Sequence, residues 1–177
     1  MSVLRAALAH PVRPAATLRR LREEGGLLCF SLLVALLVCL LAGVRAGLLA
    51  GGLFSPVRFA TSLSGFILLP MLLWLAGRPL GGRGQPPALG AATAGCAVPF
   101  VAVDALWIVH LAAGGAPGAP VPTAIERLSW LWALALLVAG VREAQRWRSP
   151  LRAAASVGMV ALGLALLIGG AIALRAA

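Results

Sequence analysis

The sequence contains no lysine and no tyrosine, and acidic residues number five. Without lysine there is no side chain of the kind a GxxxxGK[ST] loop places against nucleotide phosphates. The glycine-rich stretch Gly77-Arg78-Pro79-Leu80-Gly81-Gly82-Arg83-Gly84-Gln85-Pro86-Pro87 is therefore read as a turn. Cysteine is scarce as well. Cys29, Cys39 and Cys96 lie singly in apolar runs with no CxxC pair, which argues against a disulfide framework or a cysteine zinc site. Charge is the third shortage. Charged residues make up 11% of the chain, against about 25% in a soluble domain. No polar stretch is long enough to bury a core of its own.

What is present in quantity is apolar surface and arginine. Hydrophobic residues make up 61% of the 177, and mean hydropathy is +0.99, which places the chain in the membrane class. All fifteen basic residues are arginine, and the net charge is +10. Nucleic-acid binding would need those arginines gathered on one polar face. They sit instead singly or in small groups between apolar runs, so no nucleic-acid partner is expected.

A bilayer is crossed by a helix of about 20 apolar residues. Runs between charges predict five spans, at about 27–44, 59–77, 89–112, 123–140 and 153–174, after a basic leader at 1–26. The expected fold class is all-α: a polytopic integral membrane protein, a bundle of five transmembrane helices with a short interfacial N-terminal helix. The fourth span has the shortest charge-free run. Thr123-Ala124-Ile125-Glu126 has capping-box spacing, which would start that span at Thr123 with Glu126 and Arg127 at the interface. The segment Val44-Arg45-Ala46 offers cleavage-like spacing after the first run. The long charged leader and four further spans favour retention of that run as a membrane helix.

Arginine placement predicts orientation, because cytoplasmic segments carry the positive excess. With the N-terminus inside, the inner segments hold Arg5, Arg13, Arg19, Arg20, Arg22, Arg78, Arg83, Arg142, Arg146, Arg148 and Arg152. The outer ones hold only Arg45, Arg58, Arg127 and Arg175. The C-terminus is then outside.

Within the leader, Ser2 precedes an apolar stripe of Val3, Leu4, Ala7 and Leu8. Pro14 suits a helix start and Gly25-Gly26 a stop. Leu18 and Leu21 share a face ringed by Arg19, Arg20 and Arg22, as on an interfacial helix. On an anionic inner leaflet each such arginine contributes about 1 kcal/mol. Arg78, Arg83, Arg142, Arg146 and Arg148 are the further inner-leaflet contacts, and anionic lipid is the expected partner.

Asp104 is the residue that most invites a functional reading. An acid inside a span costs roughly 2.5–3.5 kcal/mol, so it marks either a proton or cation site or a buried ion pair. It lies eight residues from the end of its span, about 12 Å at 1.5 Å per residue. Arg45 and Arg127 are the candidate pairing partners. His110, six positions on, falls some 120° round the helix, at about 100° per residue, and does not share its face. Asp104, His110 and Arg127 are thus the candidate intramembrane residues. Ser62-Leu63-Ser64-Gly65 and His110 suggest an intramembrane serine protease, but neither GxSG nor Ala-His-x-x-Gly is present. No catalytic residue, cofactor or metal site is expected.

Small residues repeat at four-residue spacing at Gly43, Gly47 and Gly51, and again at Ala161, Ala165, Gly169 and Ala173. Such ladders let helices approach closely, within the bundle or between copies, so a homo- or hetero-oligomer stays open. Pro70 and Pro99 fall inside spans and bend them. Trp74 and Trp130 fall near opposite interfaces.

Several segments, in order, resemble the Yip family, five-span proteins named for interacting with Ypt/Rab GTPases, and in particular its bacterial branch. His10-Pro11-Val12-Arg13-Pro14-Ala15-Ala16-Thr17-Leu18-Arg19-Arg20-Leu21 is similar to the family's leader. Leu73 through Gly84 is similar to its LxGGxG inner turn. Ala91-Ala92-Thr93-Ala94-Gly95-Cys96-Ala97-Val98-Pro99 resembles the opening of its third span. Trp132 through Gln145 resembles the end of its fourth. The resemblance implies a polytopic membrane protein without enzymatic activity, placed in a bacterial inner membrane. Eukaryotic members act in vesicle trafficking and membrane shaping, and carry D-L-Y-G-P and G-Y-G motifs after an acidic leader. A tyrosine-free chain with a basic leader has neither, so GTPase binding is not carried over. The expected function is membrane organisation through helix packing, lipid contact or partner binding. The alternative is a small transporter or channel subunit using Asp104.

Overall fold

The computed structural model describes residues 9–176, with side chains at 9–120 and 122–167. The leader stripe at Val3, Leu4, Ala7 and Leu8 lies outside the described residues. Six helices follow in order: α1 Pro14–Glu23, α2 Leu27–Leu49, α3 Pro56–Gly77, α4 Pro86–Ala112, α5 Pro120–Ala144 and α6 Pro150–Ala176. There is no strand among the described residues. By length and composition, the last five helices can each cross a membrane. Every one of the six but α2 opens on a proline, which lacks the N–H that a first turn cannot use and fixes φ near the helical value.

Proline also moves the start of α5. Thr123 and Glu126 do not form the expected capping box. The helix begins a turn earlier at Pro120, and the Thr123 hydroxyl donates to the Ala119 carbonyl at 2.8 Å. Glu126 is thereby free to act at a distance. At the other end of α5 the turn is made by Arg146 at φ 58, where a glycine would be expected.

α4 is the central helix and packs on α2, α3 and α5. Its first three turns are almost all small residues, and Ala88, Ala91, Ala92, Ala94 and Gly95 are buried. Small side chains let neighbouring backbones close in, which matters where lipid offers no hydrophobic drive to associate. At Gly140 of α5 an added Cβ would stand 3.0 Å from that of Ala92. Phe30 and Val34 of α2, Leu73 of α3 and Val141 of α5 close the core around this segment. Leucines on the outer faces, such as Leu32, Leu68, Leu131 and Leu162, are exposed and meet the surrounding hydrocarbon.

α1 packs its apolar face on protein: Leu18 and Leu21 are each 1% exposed within the core cluster. The helix leans along α5. Arg19 and Arg22 reach Glu143, while just before the helix the Pro11 carbonyl accepts from Trp132 Nε1 at 3.2 Å. Eleven residues separate those anchors on α5, about 16 Å at 1.5 Å per residue. The ends of α2, α4 and α6 nearest α1, with the 78–85 turn, form what is called the leader end. The 50–55 and 113–119 connections form the far end.

Candidate functional site

Asp104 is buried on α4, one turn before Trp107. Its Oδ1 accepts from Arg45 Nη1 of α2 at 3.1 Å. The same guanidinium grips Glu126 of α5 with two bonds, Nη1 to Oε1 at 3.2 Å and Nη2 to Oε2 at 2.7 Å. Trp107 Nε1 donates to Glu126 Oε2 at 3.0 Å, and Arg45 Cζ stacks 4.9 Å from the Trp107 ring centroid. One planar cation thus joins three helices. An arginine fits this role because its fork can satisfy two carboxylates at once and still lie over an indole.

Of the two arginines considered for Asp104, Arg45 takes the place, and Arg127 lies exposed beyond it. His110 does not join the cluster. Its ring meets Trp107 edge-on at 5.8 Å, and Nε2 lies 3.1 Å from the Ala116 carbonyl. The Ser64 hydroxyl donates to Thr61 O in its own helix at 2.8 Å, so serine and histidine are spent separately. Glu126 and Trp107 were missed as site residues. The signal for Trp107 was its i+3 spacing from Asp104, which places both on one helix face. No group of three histidine, cysteine or acidic side chains is placed to hold a metal ion among the described residues.

Beside this cluster a cavity of about 900 Å³ runs between α3 and the other helices, with Arg45, Arg58, Asp104 and Glu126 at one end and Leu69 and Leu72 at the other. Its size is near the top of the about 300–1,000 Å³ typical of ligand pockets.

A second polar knot closes the leader end, and it explains the glycine-rich turn. Gln145, at the end of α5, is 2% exposed. Its Oε1 accepts from Gly84 N at 2.9 Å and its Nε2 donates to the Leu73 carbonyl at 3.2 Å. Its own carbonyl accepts from Arg83 N at 3.3 Å. A Cβ at Gly77, Gly82 or Gly84 would run into this side chain. Gly81, at φ 76, supplies the left-handed turn that brings Gly82 N back to Gly77 O at 2.9 Å. The stretch is a socket for an amide from the next hairpin.

The arginines expected on the inner leaflet gather at this end but divide in use. Arg19 Nε bonds Glu143 Oε1 at 3.0 Å, and Arg22 Nη2 reaches the Glu143 carbonyl at 3.4 Å. Arg78 stacks 4.5 Å above the Trp74 ring. Arg142 is half-buried, whereas Arg20, Arg83, Arg146 and Arg148 are exposed. The small-residue ladders divide too. Gly43 and Gly47 are buried against the chain's own Phe54, whose ring and backbone occupy the space their side chains would need. They seat the α2–α3 connection. Ala161 and Ala165 face outward, and Gly169 falls outside the residues whose surroundings are described.

No curated protein and no solved structure matches the chain. The first five helices, the glycine turn and Gln145 lie inside one matched region, which ends within α6. The Yip1 domain model matches residues 7–170, and the chain belongs to that family.

Proposed function

We propose that this multi-pass membrane protein has no catalytic step and organises membrane through helix packing and contact with lipid or a partner protein. The observation that carries this is the Arg45 tie. Asp104, the one acid deep in a span, is engaged in joining α2, α4 and α5. A transport site would need an acid whose partner changes during the cycle. The exposed arginines of the leader end support an anionic cytoplasmic leaflet on that side, and the proposal has the N-terminus inside, in a bacterial cell membrane. With no tyrosine in the sequence, GTPase recognition is not part of the proposal.

Reconstituted liposomes test the reading. Proton and cation flux should equal that of protein-free vesicles, for the wild type and for Asp104→Asn. Flux in the wild type that Asp104→Asn abolishes would establish the transporter instead. Orientation is tested by reporter fusions. Those after Gln85 and Arg148 should report cytoplasm and one after Gly118 the outside; an external reporter at Gln85 refutes the topology.

A further inference from the structure

The cavity beside the Arg45 tie is lined by residues of all five long helices, with α3 supplying more of the wall than any other. Its walls are built mainly from residues such as Val38, Gly65, Leu69, Cys96 and Phe100. A dry void of this size forfeits dispersion contacts along its whole lining, and apolar walls do not hold water in place. In a bilayer the available filler is an acyl chain.

The far end of the cavity specifies more. Arg45, Arg58, Asp104 and Glu126 all line it, and their formal charges cancel. Arg45 is occupied by the two carboxylates. Arg58, in the first turn of α3, is exposed, and its guanidinium has no hydrogen bond or ion pair among the described residues. Asp104 commits Oδ1 to Arg45, and its Oδ2 accepts no hydrogen bond among the described residues. The mouth therefore offers a cation for a phosphate and a carboxylate oxygen for a donor.

We propose that this cleft holds one phospholipid whose headgroup carries both a phosphate and a primary ammonium, with the phosphate on Arg58, the ammonium at Asp104 and Glu126, and a chain passing Gly65 toward Leu69. A zwitterion leaves the charge balance of the mouth at zero. An anionic lipid adds an uncompensated charge where solvation is poor. A quaternary ammonium cannot donate the hydrogen bonds that the carboxylate oxygens accept. The proposal rests on the lipid-contact reading above; the flux result can refute that reading whatever lipid is retained, and the lipid result can fail while the flux result stands.

Gly65 supplies the decisive variant. It lines the cavity on a helix, and nothing lies within 4 Å of a Cβ built there. Gly65→Leu should fill the cleft without disturbing the fold. The full chain is exchanged in mild detergent into an equimolar mixture of phosphatidylethanolamine, phosphatidylcholine and phosphatidylglycerol with matched chains, and retained lipid is counted by native mass spectrometry. One phosphatidylethanolamine per chain is expected, favoured about tenfold over each competitor, the value of one charge-assisted hydrogen bond. Arg58→Gln should lower retention about tenfold by the same reasoning. Gly65→Leu should abolish it with an unchanged helical circular-dichroism spectrum. Equal retention of the three lipids overturns the proposal, as does undiminished retention by Gly65→Leu. A lipid-free dimer that crosslinks through Gly65→Cys assigns the cleft to a second copy and likewise overturns it.

Discussion

Gln145→Leu keeps the size of the side chain and removes both of its side-chain hydrogen bonds. The Gly84 N–H, in a buried residue, then loses its partner, and the Leu73 carbonyl is left with the bond of its own helix alone. Orphaning the Gly84 N–H costs about 1–3 kcal/mol and losing the second bond to Leu73 O about 0.5–1.5 kcal/mol, and leucine recovers a part through its apolar contacts, so a net loss of about 1.5–4 kcal/mol is expected. At roughly 2–4 °C per kcal/mol for a chain of this size, the melting temperature in detergent should fall by roughly 3–16 °C. A local readout separates socket opening from general weakening. Trypsin cleavage after Arg83 should accelerate at least about tenfold, since each 1.4 kcal/mol of easier opening is tenfold in population. Gly77 provides the cross-check. The three atoms nearest a Cβ at Gly77 all belong to Gln145, with Cδ at 2.9 Å. Alanine is otherwise the better helix residue by about 1 kcal/mol. Gly77→Ala should therefore destabilise the wild type and stabilise a Gln145→Ala background. If Gly77→Ala has the same sign in both backgrounds, or Gln145→Leu melts within about 1 °C of wild type, the socket is not what holds the turn.

Three further outcomes follow from named contacts. Arg45→Met strands two carboxylates and should cost about 3–5 kcal/mol in thermal unfolding; the triple variant Arg45→Met, Asp104→Asn, Glu126→Gln should recover most of it. Arg146 holds a left-handed turn at φ 58, which costs a non-glycine residue about 1–2 kcal/mol, so Arg146→Gly should raise the melting temperature. His10 is 0% exposed with both ring nitrogens unpartnered, packed on Phe30 at 5.7 Å between centroids, and burial pushes its pKa down to about 4. The folded state thus disfavours the proton: stability is full above pH 6.5 and declines as pH falls from there toward 4. The loss is about 3 kcal/mol at 1.36 kcal/mol per unit. Melting curves of His10→Phe should lack this acid-side decline.

The number of long helices was legible because a bilayer imposes a length and a hydropathy that any window of sequence records. Local turn chemistry was legible in part: Pro14 opens α1 as read, whereas Pro56, Pro86 and Pro150 start their helices ahead of the charge-free runs at 59, 89 and 153. What escaped the sequence was every contact made between distant segments by a residue with a plausible local role. Glu126 sits three positions after Thr123, which reads as a cap, yet its carboxylate crosses to Arg45. Gln145 reads as an ordinary polar residue after a span, and only the fold brings it 2.9 Å from Gly84. The glycines at 77, 82 and 84 read as a turn, and no local pattern names the side chain for which they make room. Gly43 and Gly47 likewise announced a close neighbour, and it proved to be Phe54 of the following connection.

The two polar knots also determine where the bundle can change shape. Helices in lipid gain nothing from the hydrophobic effect by touching, so close packing and polar ties must hold them. α4 has both, with alanines against α2 and α5 and the Arg45 tie across the same three helices. α3 is held differently. Gln145 fixes its last turn through Leu73 O, and Phe54, seated on Gly43 and Gly47, fixes its approach. Between those anchors it lines one wall of the cavity, with Phe66, Leu69 and Leu72 as its contacts to the core. Pro70 lies in this helix, and the bond it removes lowers the cost of bending there. A change in what fills the cleft would therefore move α3 while α2, α4 and α5 keep their positions.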